Sequence, residues 1–351
     1  MNDSARGGFR GRGLGALGYL ALGLSATAAF LGSLCLGSVS LTFPEVLKAL
    51  GAKFFGLQGV DPISIAIVWQ LRLARSLLAA VAGAALSASG AVLQGLFRNP
   101  LADPYSMGVS AGASLGAVIA MVTGFSTGLS FVGAVEISSF FGALAASFLV
   151  YLTARVSRRI SPTAALLLAG AAVGSFVLAV VALIVTFNDK DLHSVFYWML
   201  GGFGGKGWKD LATAAPAAAI SLAGALFLSR PLDVLAAGEE TAGTLGLDVS
   251  LLRRLAVLAA SLGAAAAVAA GGVIGFVGLL GPHFARLIVG PLHRRLIPLS
   301  AISGAVLLMT ADALARSVAA PLELPVGIVT AFIGAPVFLH LLGRTGQGTT
   351  V

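Results

Sequence analysis

Arg72 and Arg75 lie three residues apart in LRLAR, where an apolar run begins, so a helix would carry both guanidiniums on one face at a membrane boundary; Arg316 closes a later apolar run in ADALAR. A guanidinium is planar, permanently charged and able to grip a carboxylate through two parallel N–H···O bonds. Two readings of these arginines stand side by side: long stems snorkelling toward lipid phosphate, or charge-assisted pairing with carboxylates of a partner. A second candidate is the polar stretch Gly238, Glu239, Glu240, Thr241, Ala242, then Leu245, Gly246 and Leu247, ending at Asp248. An acidic start, small residues and a glycine stop read as one or two short helices outside the bilayer. They are either a solvated connector or a docking element for a cytoplasmic partner.

Other patterns that suggest chemistry fail when tested residue by residue. Gly13, Gly15 and Gly18 match GxGxxG, yet no strand precedes them and they open an apolar run, so they are packing residues. The stretch Gly201 to Lys206 resembles a phosphate loop until Leu200 falls where the first glycine is required and Gly207 where a Ser or Thr must follow the lysine. No nucleotide motif is present, so ATP and Mg, if they drive this protein, are bound by another subunit. His283 and His340 lie in apolar runs and His193 and His293 in loops, none with a second ligand at helical spacing, which argues against a metal site. Cys35 is the single cysteine and reads as a small core residue. Asp103, Asp189, Asp191, Asp233 and Glu323 fall in loops or at ends, and Glu136 and Asp312 near span termini. A proton-coupled carrier keeps ionisable groups near mid-membrane, so this distribution argues against secondary transport, and no catalytic cluster points to an enzyme.

The elements that position these residues are helices in lipid. Hydrophobic residues make up 58% of the chain and charged ones 10%, against about 25% charged in a soluble domain, and the mean hydropathy is +0.98. Ten apolar runs appear at about 14–38, 66–97, 106–124, 131–154, 162–187, 210–229, 252–270, 272–290, 297–316 and 326–343, each near the length that spans a bilayer. The fold class is therefore an all-α polytopic membrane protein, a single transmembrane domain over 1–351 with a tail at 1–13 and a loop at 230–252. Arg98, Arg155, Arg158, Arg159, Arg230, Arg253, Arg254, Arg294, Arg295 and Arg344 fall on the side of the tail's Arg6, Arg10 and Arg12. Lys48, Lys53, Arg72, Arg75, Lys190, Lys206, Lys209 and Arg316 fall on the other. This bias makes the tail and both termini cytoplasmic. The net charge of +8 is spread in short clusters between apolar runs, which sets topology and gives no nucleic-acid face. Arg6, Arg10, Arg12 and Ala26-Thr27-Ala28 also resemble a secretory signal, but the apolar run continues to Val39 and is long enough to span.

The stretch RNPLADPYSMGVSAG (98–112) is a polar turn between two spans. VAGAALSASGAVLQG (81–95) aligns with SLGAAAAVAAGGVIG (261–275), and GAVIAM (116–121) with GAVLLM (304–309). The first copy begins outside and the second inside, which implies two helical halves related by inversion, an architecture of transporters. Glycines 271, 272, 275, 278 and 281 suit close helix packing, and Pro282, which frees a backbone carbonyl, makes its span a candidate for a break or bend.

LRLARSLLAAVAGAALSASGAVLQGLFRNPLADPYSMGVSAGAS, YWMLGGFGG (197–205), GEETAGTLGLDVS, GGVIGFVGLLGPHFARLIVGP, HRRLIPLSA and ADALARSVAAPLELPVGIVTAFIGAPVFLHLL occur in order from Val68 to Arg344. Together they resemble the permeases of the FecCD family of ABC importers, which move iron-siderophores, haem or cobalamin. The resemblance implies ten helices per subunit in the prokaryotic cytoplasmic (inner) membrane. It implies a second permease copy, as a homodimer, two cytoplasmic ATP-binding subunits and a periplasmic or extracellular substrate-binding protein. It implies that the stretch from Gly238 forms coupling helices seated in the ATPase, that the helix after Ser161, with Ala169, Gly170, Gly174 and Ser175, lines the path, and that Arg72, Arg75 and Arg316 receive carboxylates of the binding protein. Ala74 stands where the family pattern has a proline. Iron-siderophore is the leading cargo on this reading, with cobalamin or haem as the alternative, although YWMLGGFGG is closer to cobalamin permeases.

Overall fold

The computed structural model describes residues 16–128, 133–156 and 161–345. The tail at 1–13, with Arg6, Arg10 and Arg12, and the pair Arg158 and Arg159 lie outside the described residues. Among the described residues the chain is helical and has no strand. In order, the helices are α1 (Ala16–Cys35), α2 (Phe43–Phe55), α3 (Pro62–Ala66), α4 (Ala74–Phe97), α5 (Val109–Thr123), α6 (Ala134–Val156), α7 (Pro162–Thr186) and α8 (Leu192–Leu200). They continue as α9 (Trp208–Phe227), α10 (Ser229–Leu235), α11 (Glu239–Thr244), α12 (Val249–Gly271), α13 (Val277–Val289), α14 (His293–Ala315) and α15 (Val326–Thr345).

Among the described residues six helices are long and apolar enough to cross a membrane: Pro62–Phe97, Ala134–Val156, Pro162–Thr186, Trp208–Phe227, Val249–Gly271 and His293–Ala315. Four shorter apolar helices, Leu20–Cys35, Val109–Thr123, Val277–Val289 and Val326–His340, take up the other four apolar runs. The long span Pro62–Phe97 is α3 and α4 joined through a π-helical segment, Ile67–Leu73. Local chemistry sets the ends. Asp61, Ser161 and Asp248 each accept a hydrogen bond from a backbone N–H of the first turn of α3, α7 and α12, and Pro62 and Pro162 sit where a missing N–H costs nothing.

α5 and α13, 15 and 13 residues long, rise only roughly 20 Å, and each follows an irregular link. In the first link Asp103 accepts from Tyr105 N at 2.8 Å and Gly108 turns the chain at φ 73°. The hydroxyl of Tyr105 donates to Ile274 O at 2.9 Å and accepts from Ile274 N at 3.1 Å, which ties the first link to the second. Non-helical backbone at membrane depth must be satisfied within the protein, and this reciprocal pair does so. The break in the 272–290 run thus falls at 272–276, where Phe276 adopts φ 68°, and not at Pro282. Helix α13 runs on through Pro282 to Val289. The carbonyl that Pro282 leaves without a donor belongs to Gly278, and it faces Gly90, where a Cβ would collide with it.

α4 and α12 are buried along most of their length, whereas α7 and α9 leave much of theirs exposed. α4 meets α14 antiparallel: Gly83 lies against Gly304, Arg75 against Asp312 and Gly95 against His293. It meets α13 parallel, through Ser87 with Val277 and Gln94 with Arg286. The residues aligned in the first repeat, 81–95 and 261–275, end α4 and α12, each followed by a link and a short helix. The second aligned pair falls on α5 and α14, which do not correspond in helix order, so that match comes from Gly/Ala composition alone.

A Cβ on Gly304 would strike the carbonyl of Gly83 and the side chain of Ser87. Gly304→Val is expected to cost about 1–3 kcal/mol, read as a lowered unfolding midpoint of the detergent-solubilised protein. Gly207→Val, at a position with nothing within reach of a Cβ, serves as the control.

Candidate docking and coupling sites

At the end of the bundle where α4 begins, Arg72, Arg75 and Arg316 come together, but they face inward. Arg72 is 4% exposed, Arg75 7% and Arg316 4%. The π-helical segment widens the turn between Arg72 and Arg75, so the two do not share a face as a regular helix would make them. Arg72 turns to the end of α1, donating to Leu34 O at 2.8 Å, Cys35 O at 2.9 Å and Val39 O. Leu34 and Cys35 close α1, where carbonyls lack intrahelical N–H partners, and Val39 lies in the link that follows. Arg316 donates to Ser33 O of the same helix at 2.5 Å and lies 3.5 Å from Asp312.

Arg75 turns to α14. Its Nε donates to both carboxylate oxygens of Asp312, at 3.0 and 3.1 Å, and its Nη2 lies 2.9 Å from Oδ1. Its Nη1 reaches Glu323 Oε2 at 2.7 Å. Asp312 is fully buried, whereas the Glu323 side chain is 42% exposed. The acidic partners expected from another protein are, in this conformation, supplied by the chain itself. Asp312 and Glu323 were legible only as residues at span ends, because nothing local marks a pairing across 237 or 248 positions.

Behind this cluster the segment 201–205 wedges between the ends of α12 and α15. Gly202 N donates to Gly271 O at 2.7 Å, Gly327 N donates to Gly201 O, and Phe203 is fully buried against Gly271. A cavity of ≈260 Å³ opens here between Arg75, Glu323, Trp198, Gly204 and Lys206. Lys206 holds no phosphate-loop geometry. It pairs with Glu136, and with Asp210 at 3.1 Å; burial alone would lower its proton affinity, but the two carboxylates outweigh burial and raise it.

The opposite end carries the polar stretch. Gly238, at φ 113°, opens α11 with Glu239 and Glu240 in its first turn, and Gly246, at φ 85°, lies just beyond its end. Ala242 is buried while Glu240, Thr241 and Leu245 are exposed, and Leu247 is half-buried. The preceding α10 makes the second short helix. Two polar ties fasten this pair to the bundle. Asp233 of α10 accepts from the backbone N of His293 at 2.7 Å and contacts its Nδ1 at 2.7 Å, placing a carboxylate at the N-terminus of α14. Arg253 of α12 pairs with Glu239 at 3.0 Å. Asp233 and His293 had no signal in sequence beyond lying in loops.

The four residues expected along a path on α7 divide. Ala169 and Gly170 are buried, and a Cβ on Gly170 would strike the Ser106 carbonyl. Gly174 has open space beside it and Ser175 is exposed.

The model of the FecCD transport family matches residues 25–344. The cobalamin import system permease protein BtuC of Halobacterium salinarum is 46% identical over 284 residues, 81% of this chain and 75% of that protein. The vitamin B12 import system permease protein BtuC of Klebsiella pneumoniae is 40% identical over 318 residues, 90% of each. A solved inward-facing transporter, described as a metal-chelate type ABC transporter, superposes with a TM-score of 0.80 at 31% identity, over 93% of this chain and 98% of its own.

Removing the carboxylate of Asp312 leaves Arg75 and Arg316 facing each other in a buried site. Asp312→Ala is expected to cost about 3–5 kcal/mol, seen as a loss of membrane-inserted protein and a lower thermal midpoint. Replacing the exposed Glu240 by Ala should leave both unchanged.

Proposed function

The chain belongs to the FecCD transport family, and from that premise we propose that it carries cobalamin across the membrane. At the coarser level it is the permease of a metal-chelate or cobalamin-type ABC importer, a multi-pass transport component and not an enzyme, working with ATP-binding and substrate-binding partners. The observation that carries the finer reading is the cobalamin or vitamin B12 assignment of permeases 40–46% identical over most of the chain. Iron-siderophore, the cargo led with from sequence, gains no comparable support and yields to it.

On this reading the end bearing α10 and α11 faces the cytoplasm and both termini lie there. The exposed Glu240, Thr241 and Leu245 seat in an ATPase that binds ATP and Mg, two such subunits serving this chain and a second copy of it. Movement imposed on α11 has two routes into the membrane: Arg253 to α12, and through α10 and Asp233 to α14. The substrate-binding protein docks at the opposite end, where Arg72, Arg75 and Arg316 gather. Cobalamin passes beside Gly174 and Ser175, where small side chains leave room, in the inner membrane of a prokaryote.

ATP-dependent uptake into proteoliposomes holding the chain with its ATPase and binding protein tests the cargo. Cyanocobalamin should accumulate and a ferric hydroxamate should not; the reverse result overturns the assignment. In the same assay Gly174→Trp should insert at the parental level yet block uptake. Gly170→Trp should instead lose stability, because the Ser106 carbonyl occupies the space.

A further inference from the structure

Arg75 holds two carboxylates of very different character. Asp312 is fully buried on α14 and grips the guanidinium through several N–H groups. Glu323 makes a single contact at 2.7 Å from a side chain that is 42% exposed. It sits in the non-helical link between α14 and α15, where Leu324 N donates to Ala315 O at 2.9 Å. One edge of the guanidinium is therefore fixed inside the bundle, while the other is covered by a side chain that water can reach. Only the Glu323 end of this pair is exposed, and Asp312 keeps the buried guanidinium ion-paired when that single contact is broken, so Glu323 can leave Arg75 without stranding its charge.

The charges around it favour replacement by another acid. Arg72, Arg75 and Arg316 bring three positive charges, and Asp312 and Glu323 two negative ones, so this cluster of five side chains carries one excess positive charge. Arg316 Nε is buried without a hydrogen-bond partner. In a low-dielectric setting such an excess attracts an incoming carboxylate more strongly than it would in water.

We propose that Glu323 is a resident stand-in for a carboxylate of the substrate-binding protein. It occupies Arg75 while the transporter is undocked and is exchanged for an acidic side chain of that protein when it docks; this rests on the docking reading given above. The exchange has a consequence inside the chain. Glu323 lines the ≈260 Å³ cavity together with Gly201, Gly202 and Gly204, and lies three residues ahead of Val326, where α15 begins. Freed from Arg75, the link can shift against the 201–205 segment, whose Gly201 carbonyl accepts from Gly327 N in the first turn of α15. Docking would thus loosen the outer start of α15, a movement that contact with a rigid surface would not produce.

The test is the affinity of the binding protein for the complete transporter in nanodiscs without nucleotide, measured for the parent, Glu323→Gln, Glu323→Asp, Arg75→Ala and the double variant Arg75→Ala/Glu323→Gln. Removing a competitor of this class should tighten binding by about two- to fivefold in Glu323→Gln. Glu323→Asp, with a shorter reach, should fall between it and the parent. Arg75→Ala should weaken binding by tenfold or more, and in the double variant the gain from Glu323→Gln should vanish. If Arg75→Ala weakens binding but Glu323→Gln and Glu323→Asp bind like the parent or more weakly, Glu323 is only structural and the exchange is refuted while docking stands. If Arg75→Ala binds like the parent, the docking reading falls and takes the exchange with it.

Discussion

The contact between Gly83 and Gly304 sets the rest of this structure. With no side chain at either position the backbones of α4 and α14 touch, and each glycine's missing Cβ leaves room for the other's carbonyl. Lipid offers no hydrophobic force to drive two apolar helices together, so close van der Waals contact has to do it. Once the contact forms, the antiparallel register is fixed over the whole membrane thickness. Eight residues along each helix Arg75 meets Asp312, and toward the other end Gly95 meets His293. The ionic cluster and the tie to α10 are therefore consequences of one pair of glycines.

The register makes it possible to bury charge. A lone guanidinium in hydrocarbon is expensive, and removing one member of a buried pair costs far more than the pair's net worth. Here each guanidinium has a partner: Asp312 for Arg75, and carbonyls at the end of α1 for Arg72 and for Nη2 of Arg316. The arginines thereby fasten α1 and α14 to the start of α4. The same arrangement leaves Glu323 as the one carboxylate of the cluster with a foot in water.

The two ends of the molecule are held by different means. Between Arg75 and Gly95 α4 rises about 30 Å, the thickness of a bilayer core, and passes from a dense ionic cluster to helices α10 and α11, which bury Leu232, Leu235 and Ala242 in the core and add two polar ties. Helix α11 and its end expose Glu240, Thr241 and Leu245, while Glu239 ties α11 to α12 and Asp233 ties α10 to α14. Between these ends the inverted halves cross at their two links, joined by one tyrosine hydroxyl and one backbone amide and carbonyl.

Sequence alone determined the ten apolar runs, the all-helical class, the inverted relation of α4 to α12, the short helix that begins after Gly238 and the family to which the chain is similar. Each is a local property: hydropathy over a membrane length, a capping residue, a glycine stop, an ordered set of motifs. It marked the span of Pro282 for a break or bend, and the break lies at 272–276, ahead of the proline, whose freed carbonyl is accommodated by the neighbouring Gly90. It treated Ala169, Gly170, Gly174 and Ser175 as one stripe, whereas the packing of the first link against α7 separates the buried pair from the open one. Only the tertiary structure decided that Arg75 faces Asp312 and Glu323, that Arg72 turns away from it, and that Asp233 reaches His293. These partners are far apart in the chain and meet through helix register and a widened helical turn. Alternation of Ala and Gly along a helix does not encode either, since many faces of such a helix are small enough to pack.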